Sequence, residues 1–161
     1  MTPPLPHQIR SINDTVMGGL SNSRVIMTEQ GIGFCGEVSL ANNGGFASMR
    51  GRWLLNGDDQ SKKNIAAIQL TVVGDGKRYQ FRLFTADNHD GSAYVYNFDT
   101  QAGEAITITA PVSAFSASFR GRVIQKPPLK LENILEYGLL IGDKQEGAFS
   151  LLLKSIELLE N

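Results

Sequence analysis

Arginines supply the first candidates for chemistry in this chain. Arg50 and Arg52, Arg78 and Arg82, and Arg120 and Arg122 form three pairs, each within a strand-like or turn-like stretch. At i,i+2 or i,i+4 spacing in a strand, both guanidinia share one face. A guanidinium clamps carboxylate, phosphate or backbone carbonyls through two nitrogens at once. The plainer reading is an outer sheet face, on which these cations pair with acidic neighbours such as Glu37 or Asp99. A second set is polar and glycine-containing: Asn13-Asp14-Thr15-Val16-Met17-Gly18-Gly19-Leu20-Ser21, Asn42-Asn43-Gly44-Gly45-Phe46, and Asp143-Lys144-Gln145. Asn and Asp in such stretches cap turns through the backbone, or present donors and acceptors on loops that carry function.

Other chemistries lack residues to perform them. His7 and His89 are the only histidines, and no Cys-x-x-Cys or His-x-x-x-His spacing exists to hold zinc. Asp87-Asn88-His89-Asp90-Gly91 is rich in oxygen ligands but lacks the spacing and terminal Glu of a calcium loop, so it reads as a solvated loop. A Ser-His-Asp triad would need one of the two histidines, and there is no Gly-x-Ser-x-Gly elbow. Cys35 is the single cysteine and reads as a small packed thiol between Phe34 and Gly36. Met17-Gly18-Gly19 and Gly74-Asp75-Gly76 open no helix that could receive a pyrophosphate. The expectation is no catalytic set, no metal and no cofactor.

The elements that would position the candidates are strands. Ile32, Phe34, Val38 and Leu40 alternate with polar or small residues, with Gly36 interrupting the apolar phase. The same period of two recurs at Ile68-Leu70-Val72, Tyr79-Phe81-Leu83, Tyr94-Tyr96-Phe98, Ile106-Ile108, Tyr137-Leu139-Ile141 and Phe149-Leu151-Leu153. Turn chemistry separates these runs: Asn42-Asn43-Gly44-Gly45, Asn56-Gly57, Asp90-Gly91, and Gly74-Asp75-Gly76 with the Asp-Gly pair favoured in hairpins. Helix is expected only as single turns, at Pro111–Phe115 and Leu131–Leu135. Eight to ten strands at such spacing predict an antiparallel sandwich or barrel, with Phe34, Leu70, Val72, Phe81, Leu83, Leu139, Ile141 and Leu151 in its core.

With 161 residues, no repeat and no linker-like tract, the chain is expected to be one domain over 1–161, with residues 1–11 as a tail or edge segment. A net charge of −1 gives no basic field for a phosphate backbone, so nucleic acid is not an expected partner. Nothing approaches the roughly 20 apolar residues of a membrane span. Residues 1–10 hold three prolines and no apolar core of a signal peptide, and one cysteine permits no intrachain disulfide. The expected location is the cytoplasm.

The polar stretches carry a resemblance. Asn13 to Ser21, Gly36-Glu37-Val38-Ser39-Leu40 followed by Asn42-Asn43-Gly44-Gly45-Phe46-Ala47-Ser48, Gly74-Asp75-Gly76 with Tyr79 and Arg82, Phe119-Arg120-Gly121-Arg122, and Gly138-Leu139-Leu140-Ile141 with Asp143-Lys144-Gln145 resemble the complex I intermediate-associated protein family. The match runs from about Ile12 to Leu158. It implies a galactose-binding-domain-like jelly roll and a chaperone-like assembly factor that binds intermediates of respiratory complex I without joining the enzyme. This chain looks like a stand-alone, bacterial member, without the transit peptide and long N-terminal extension of mitochondrial ones.

Two functions follow as expectations. The first is a non-catalytic module that binds a protein partner, complex I intermediates being the candidates. The second is a carbohydrate or small-ligand module of the jelly-roll type, for which Trp53, Tyr94 and Tyr96 would be the stacking residues unless they belong to the core. The expected partner site joins the three polar segments at one end of the sandwich, since jelly rolls bring early and late strands side by side. Its residues are Asn13, Asp14, Met17, Gly18, Gly19, Asn42, Asn43, Asp143, Lys144 and Gln145, with Arg82 reaching it from a strand or lying instead on the outer face.

Overall fold

The computed structural model describes residues 9–13, 22–40, 45–53, 65–85, 92–119, 122–142 and 145–160. Among these residues, twelve strands make two antiparallel sheets. The seven-stranded sheet contains β1 (Ile9–Asn13), β4 (Ala47–Arg52), β6 (Arg78–Thr85), β7 (Ala93–Asp99), β9 (Ser116–Phe119), β10 (Arg122–Val123) and β11 (Ile134–Ile141). The five-stranded sheet contains β2 (Asn22–Thr28), β3 (Gly31–Val38), β5 (Ile65–Val73), β8 (Ala105–Pro111) and β12 (Gly147–Glu160). Their orders are β1-β4-β11-β6-β7-β9-β10 and β2-β3-β12-β5-β8. The expected single turns are present as short 3-10 segments, Val112–Ala114 and Leu131–Asn133.

Alternation decides which side chains meet between the sheets. Tyr79, Phe81 and Leu83 of β6 and Tyr137, Leu139 and Ile141 of β11 are buried against Phe34, Leu70, Val72 and Leu151 of the facing sheet. All eight core residues named from the sequence are fully buried. Each such side chain contributes on the order of 1.5–3 kcal/mol by leaving water. The phase of β12 shifts where its pairing to β5 slips between Leu153 and Ser155, so that Ile156 continues the buried row. Gly36 occupies an inward position on β3, and a Cβ there would collide with the Asn22 carbonyl oxygen of β2. The interruption of the apolar stripe is therefore a close approach of two strands.

Two expectations about local chemistry change. The Gly74-Asp75-Gly76 turn is no hairpin, because β5 and β6 belong to different sheets and the turn arches between them. What bends it is the carboxylate of Asp75, which holds groups from both layers. Cys35 alternates with the buried Phe34 and therefore sits on the outer face of its sheet, half-buried and free. It adjoins an open hollow of about 460 Å3 with Arg24 and Glu37.

Candidate functional site

The ordering of strands places the polar segments. In one sheet β1, β4 and β11 are neighbours, and in the other β2, β3 and β12 are. Chain order joins β1 to β2, β3 to β4 and β11 to β12. The joining segments thus leave from adjacent strand ends and arrive at adjacent strand ends. In the first sheet Ala47 pairs with both Asn13 and Ile141. In the second, Glu37 pairs with Asn22, and Val38 with Gly147. Gly142 lies against Gly45 and Phe46, about 4.0 Å from each for an added Cβ. The next two connections, β5 to β6 and β7 to β8, continue the same row at the same end.

Asp14, Met17, Gly18, Gly19, Asn42, Asn43, Asp143 and Lys144 lie outside the described residues, and Asn13 is placed as the last residue of β1. Gln145 is committed to backbone. Its Oε1 accepts from the Arg78 N–H at 2.9 Å, and its Nε2 donates to the carbonyl oxygens of Arg78 at 2.7 Å and Gly142 at 3.0 Å. The amide works as a surrogate strand, tying the end of β11 to the start of β6.

A network that the sequence reading did not identify stands beside it. Asp75 Oδ1 accepts the Tyr79 hydroxyl at 2.9 Å and the Lys77 N–H at 3.2 Å, while Oδ2 accepts the Ser150 N–H of β12 at 2.9 Å. The Lys77 ammonium adds an ion pair at 3.8 Å. Thr100 closes the neighbouring turn, accepting from the Gly76 N–H at 3.0 Å and donating to the Lys77 carbonyl at 2.7 Å. Burial and the negative charge of Asp75 push the Tyr79 phenol well above the usual tyrosine range. The signal in the sequence was an Asp four residues before an inward-facing Tyr, but only the sheet order reveals that Ser150 completes it.

Arg82 lies apart from that end, on the outer face of the seven-stranded sheet. Its strand partners are Gly138 on β11 and Val95 on β7, and Gly138 also pairs with Arg50 on β4. Gly138 is three residues from Ile141, about 10 Å along the strand. Arg50 stacks on the ring of Phe84 at 3.6 Å and pairs with Glu136 at 3.6 Å. The Arg82 guanidinium is 5.9 Å from the same ring, and its Nε is shielded from solvent without a hydrogen-bond partner among the described residues. Burial first, and the charge of Arg50 second, lower its pKa to about 10.

The aromatic candidates for sugar stacking are inward. Trp53 is 6% exposed and meets Tyr137 edge-on, while Tyr94 is 4% exposed and donates from its hydroxyl to the Pro127 carbonyl at 2.7 Å. Tyr96 packs against Phe115 with ring centroids 5.7 Å apart. Tyr79 and Tyr137 complete the tyrosines, and both are buried.

Comparison with known proteins gives the family. Residues 2–153 match the family described as Complex I intermediate-associated protein 30 (CIA30). The chain belongs to that family. Against curated proteins it has no match. Among solved structures this CIA30-family chain is similar to the family 11 carbohydrate-binding module of the cellulosomal cellulase Lic26A-Cel5E of Clostridium thermocellum, with 16% identity, a TM-score of 0.61, and 95% of this chain and 86% of that chain covered. A family 11 carbohydrate-binding module from Clostridium thermocellum in complex with a β-1,3-1,4-mixed-linked tetrasaccharide gives 18% identity and TM-score 0.61 over 95% of this chain and 89% of that chain. An agarase, AgWH50C, gives 11% identity and TM-score 0.62 over 98% of this chain but only 23% of its own length. These likenesses establish the jelly-roll sandwich that the family resemblance implies, within the antiparallel sandwich or barrel that the alternating stripes predict. No helix among the described residues is long and apolar enough to cross a membrane.

Proposed function

We propose that this chain is a non-catalytic protein-binding module that acts in assembly, with intermediates of respiratory complex I as its partners. One observation carries the reading: nearly the whole chain, residues 2–153, matches the complex I intermediate-associated family. The partner site is formed by the connections at one end of the sandwich, with Asp14, Asn42, Asn43, Asp143 and Lys144 as contacts. Gln145 acts as their anchor, since its amide is held by Arg78 and Gly142. Gly18, Gly19 and Gly44 let backbone approach the partner closely. The module works in the cytoplasm as a single domain.

The carbohydrate reading draws on the solved module with its tetrasaccharide. At 18% identity that likeness supports the fold alone, and a sugar platform needs exposed aromatic faces. The Trp and Tyr side chains here face the core instead.

Affinity capture from native lysate, with and without solubilised membranes, separates the two readings. Enrichment of complex I subunits is the expected result. Their absence, together with a hit on a glycan array, would replace this function with the carbohydrate one. Asn43→Ala and Asp143→Ala should weaken capture at near-constant thermal midpoint; a lower midpoint with unchanged capture would show that these residues only tie loops together.

A further inference from the structure

The five-stranded sheet ends on β8, whose outer edge has no strand beside it. Ala105–Pro111 pairs with β5 at every position without a bulge. Among the described residues, the one hydrogen bond to a β8 side chain comes from Gln69 to Thr109, back across that ladder. Each of the other three sheet edges carries a cation that discourages pairing: Arg10 on β1, Arg24 on β2 and Arg122 on β10. β8 carries none, and its proline comes last, at Pro111. Ala-Ile-Thr-Ile-Thr-Ala over 105–110 is neutral and rich in β-branched side chains, a composition prone to strand pairing at an open edge. Apolar exposure marks the same opening. Ile106 and Ile108 point between the sheets, in register with the fully buried Val72 and Leu70, yet both are only half-buried. Thr107 and Thr109, on the outward face, are exposed.

We propose that this edge is a dimer interface, at which β8 of a second copy adds antiparallel and joins two five-stranded sheets into one. The segment is complementary to itself in reverse. With the two-fold axis at Thr107, Ile106 meets the partner's Ile108, Thr107 meets the partner's Thr107, and Ala105 meets the partner's Thr109. Isoleucines then cover each other between the sheets, and threonines face each other outside. Glu104 of each copy lies at the opposite end of the ladder, so no like charges meet. Pro111, which lacks an N–H, also falls at an end, where the ladder needs none. Such an edge-to-edge ladder is a small interface, so the dimer is reversible and concentration-dependent. It runs along the side of the sandwich and is independent of the complex I reading.

The test is sedimentation velocity of the full chain from low micromolar to near-millimolar concentration, with amide hydrogen exchange on the same samples. The expected result is a monomer–dimer equilibrium, with exchange across 105–110 slowing as dimer forms. Thr107→Lys sets two ammoniums opposite each other and should weaken the dimer roughly tenfold, with the monomer's thermal midpoint nearly unchanged. Thr107→Glu should weaken it likewise, and an equimolar mixture of the two variants should recover a heterodimer. Thr109→Lys, which meets the partner's Ala105 instead, should weaken it much less. A chain that stays monomeric throughout, a dimer indifferent to Thr107→Lys, or charge variants that fail to recover on mixing would each overturn the proposal. The capture experiment reads the end connections rather than this edge, so either result can fail without the other.

Discussion

Asp75 shows how one side chain can fasten two layers. Its carboxylate accepts from the Tyr79 hydroxyl on one sheet and from the Ser150 N–H on the other. Asp75→Ala would take the acceptor from the Ser150 N–H and leave the Tyr79 hydroxyl with only the Ser150 carbonyl at 3.3 Å, and urea denaturation should show a loss of about 1–2 kcal/mol. Tyr79→Phe should cost about 1 kcal/mol, because Asp75 keeps its two backbone donors. The phenols of Tyr79 and Tyr137 also set a direction with pH. Burial raises both in the folded chain, so the folded state holds its protons more tightly than the unfolded state does. Their contribution is fully present below the ordinary tyrosine value near 10 and is lost as pH climbs beyond it. A plot of thermal midpoint against pH should therefore fall above about pH 10, and less steeply in Tyr79→Phe. Arg82 behaves in the opposite sense. A half-buried guanidinium whose Nε has no hydrogen-bond partner among the described residues opposes folding, and Arg82→Met should leave stability unchanged or raise it by about 1 kcal/mol.

At the scale of elements, large alternating side chains made strands legible and small ones hid them. The stripes at Tyr79-Phe81-Leu83 and Tyr137-Leu139-Ile141 became β6 and β11 with their phase intact. The strand β4 escaped because its inward residues are Ala47, Met49 and Gly51, too slight to read as a stripe. β2 is an edge strand whose burial never exceeds intermediate, so its contrast is weak. Gly74-Asp75-Gly76 looked like a hairpin because local turn chemistry is silent about which sheet receives the next strand. Gly138→Ala tests the packing of β4 on β11 and should cost on the order of 1–3 kcal/mol, since the obstruction is a backbone carbonyl that cannot rotate away. Gln145→Ala should cost about 1 kcal/mol by releasing the surrogate strand at Arg78, read from the denaturation midpoint.

For the whole molecule, the informative feature is that both sheets run in matching order, so five connections cross the same end side by side. Sequence patterning gave no access to this, because pairing between β4 and β11 joins residues about ninety positions apart. The family resemblance supplied the jelly roll, and the register explains how motifs near residues 13, 45, 75 and 142 start from one end. Our proposal of a protein partner rather than a pyranose draws on the aromatic residues, since the sandwich turns its Trp and Tyr rings inward. The most direct test of that claim is the migration of the tagged chain on native gels of detergent-solubilised membranes during complex I biogenesis. The account predicts comigration with complex I subassemblies smaller than the finished enzyme and none with the finished enzyme. Migration of the chain alone throughout biogenesis, or stoichiometric residence in the mature complex, would contradict it.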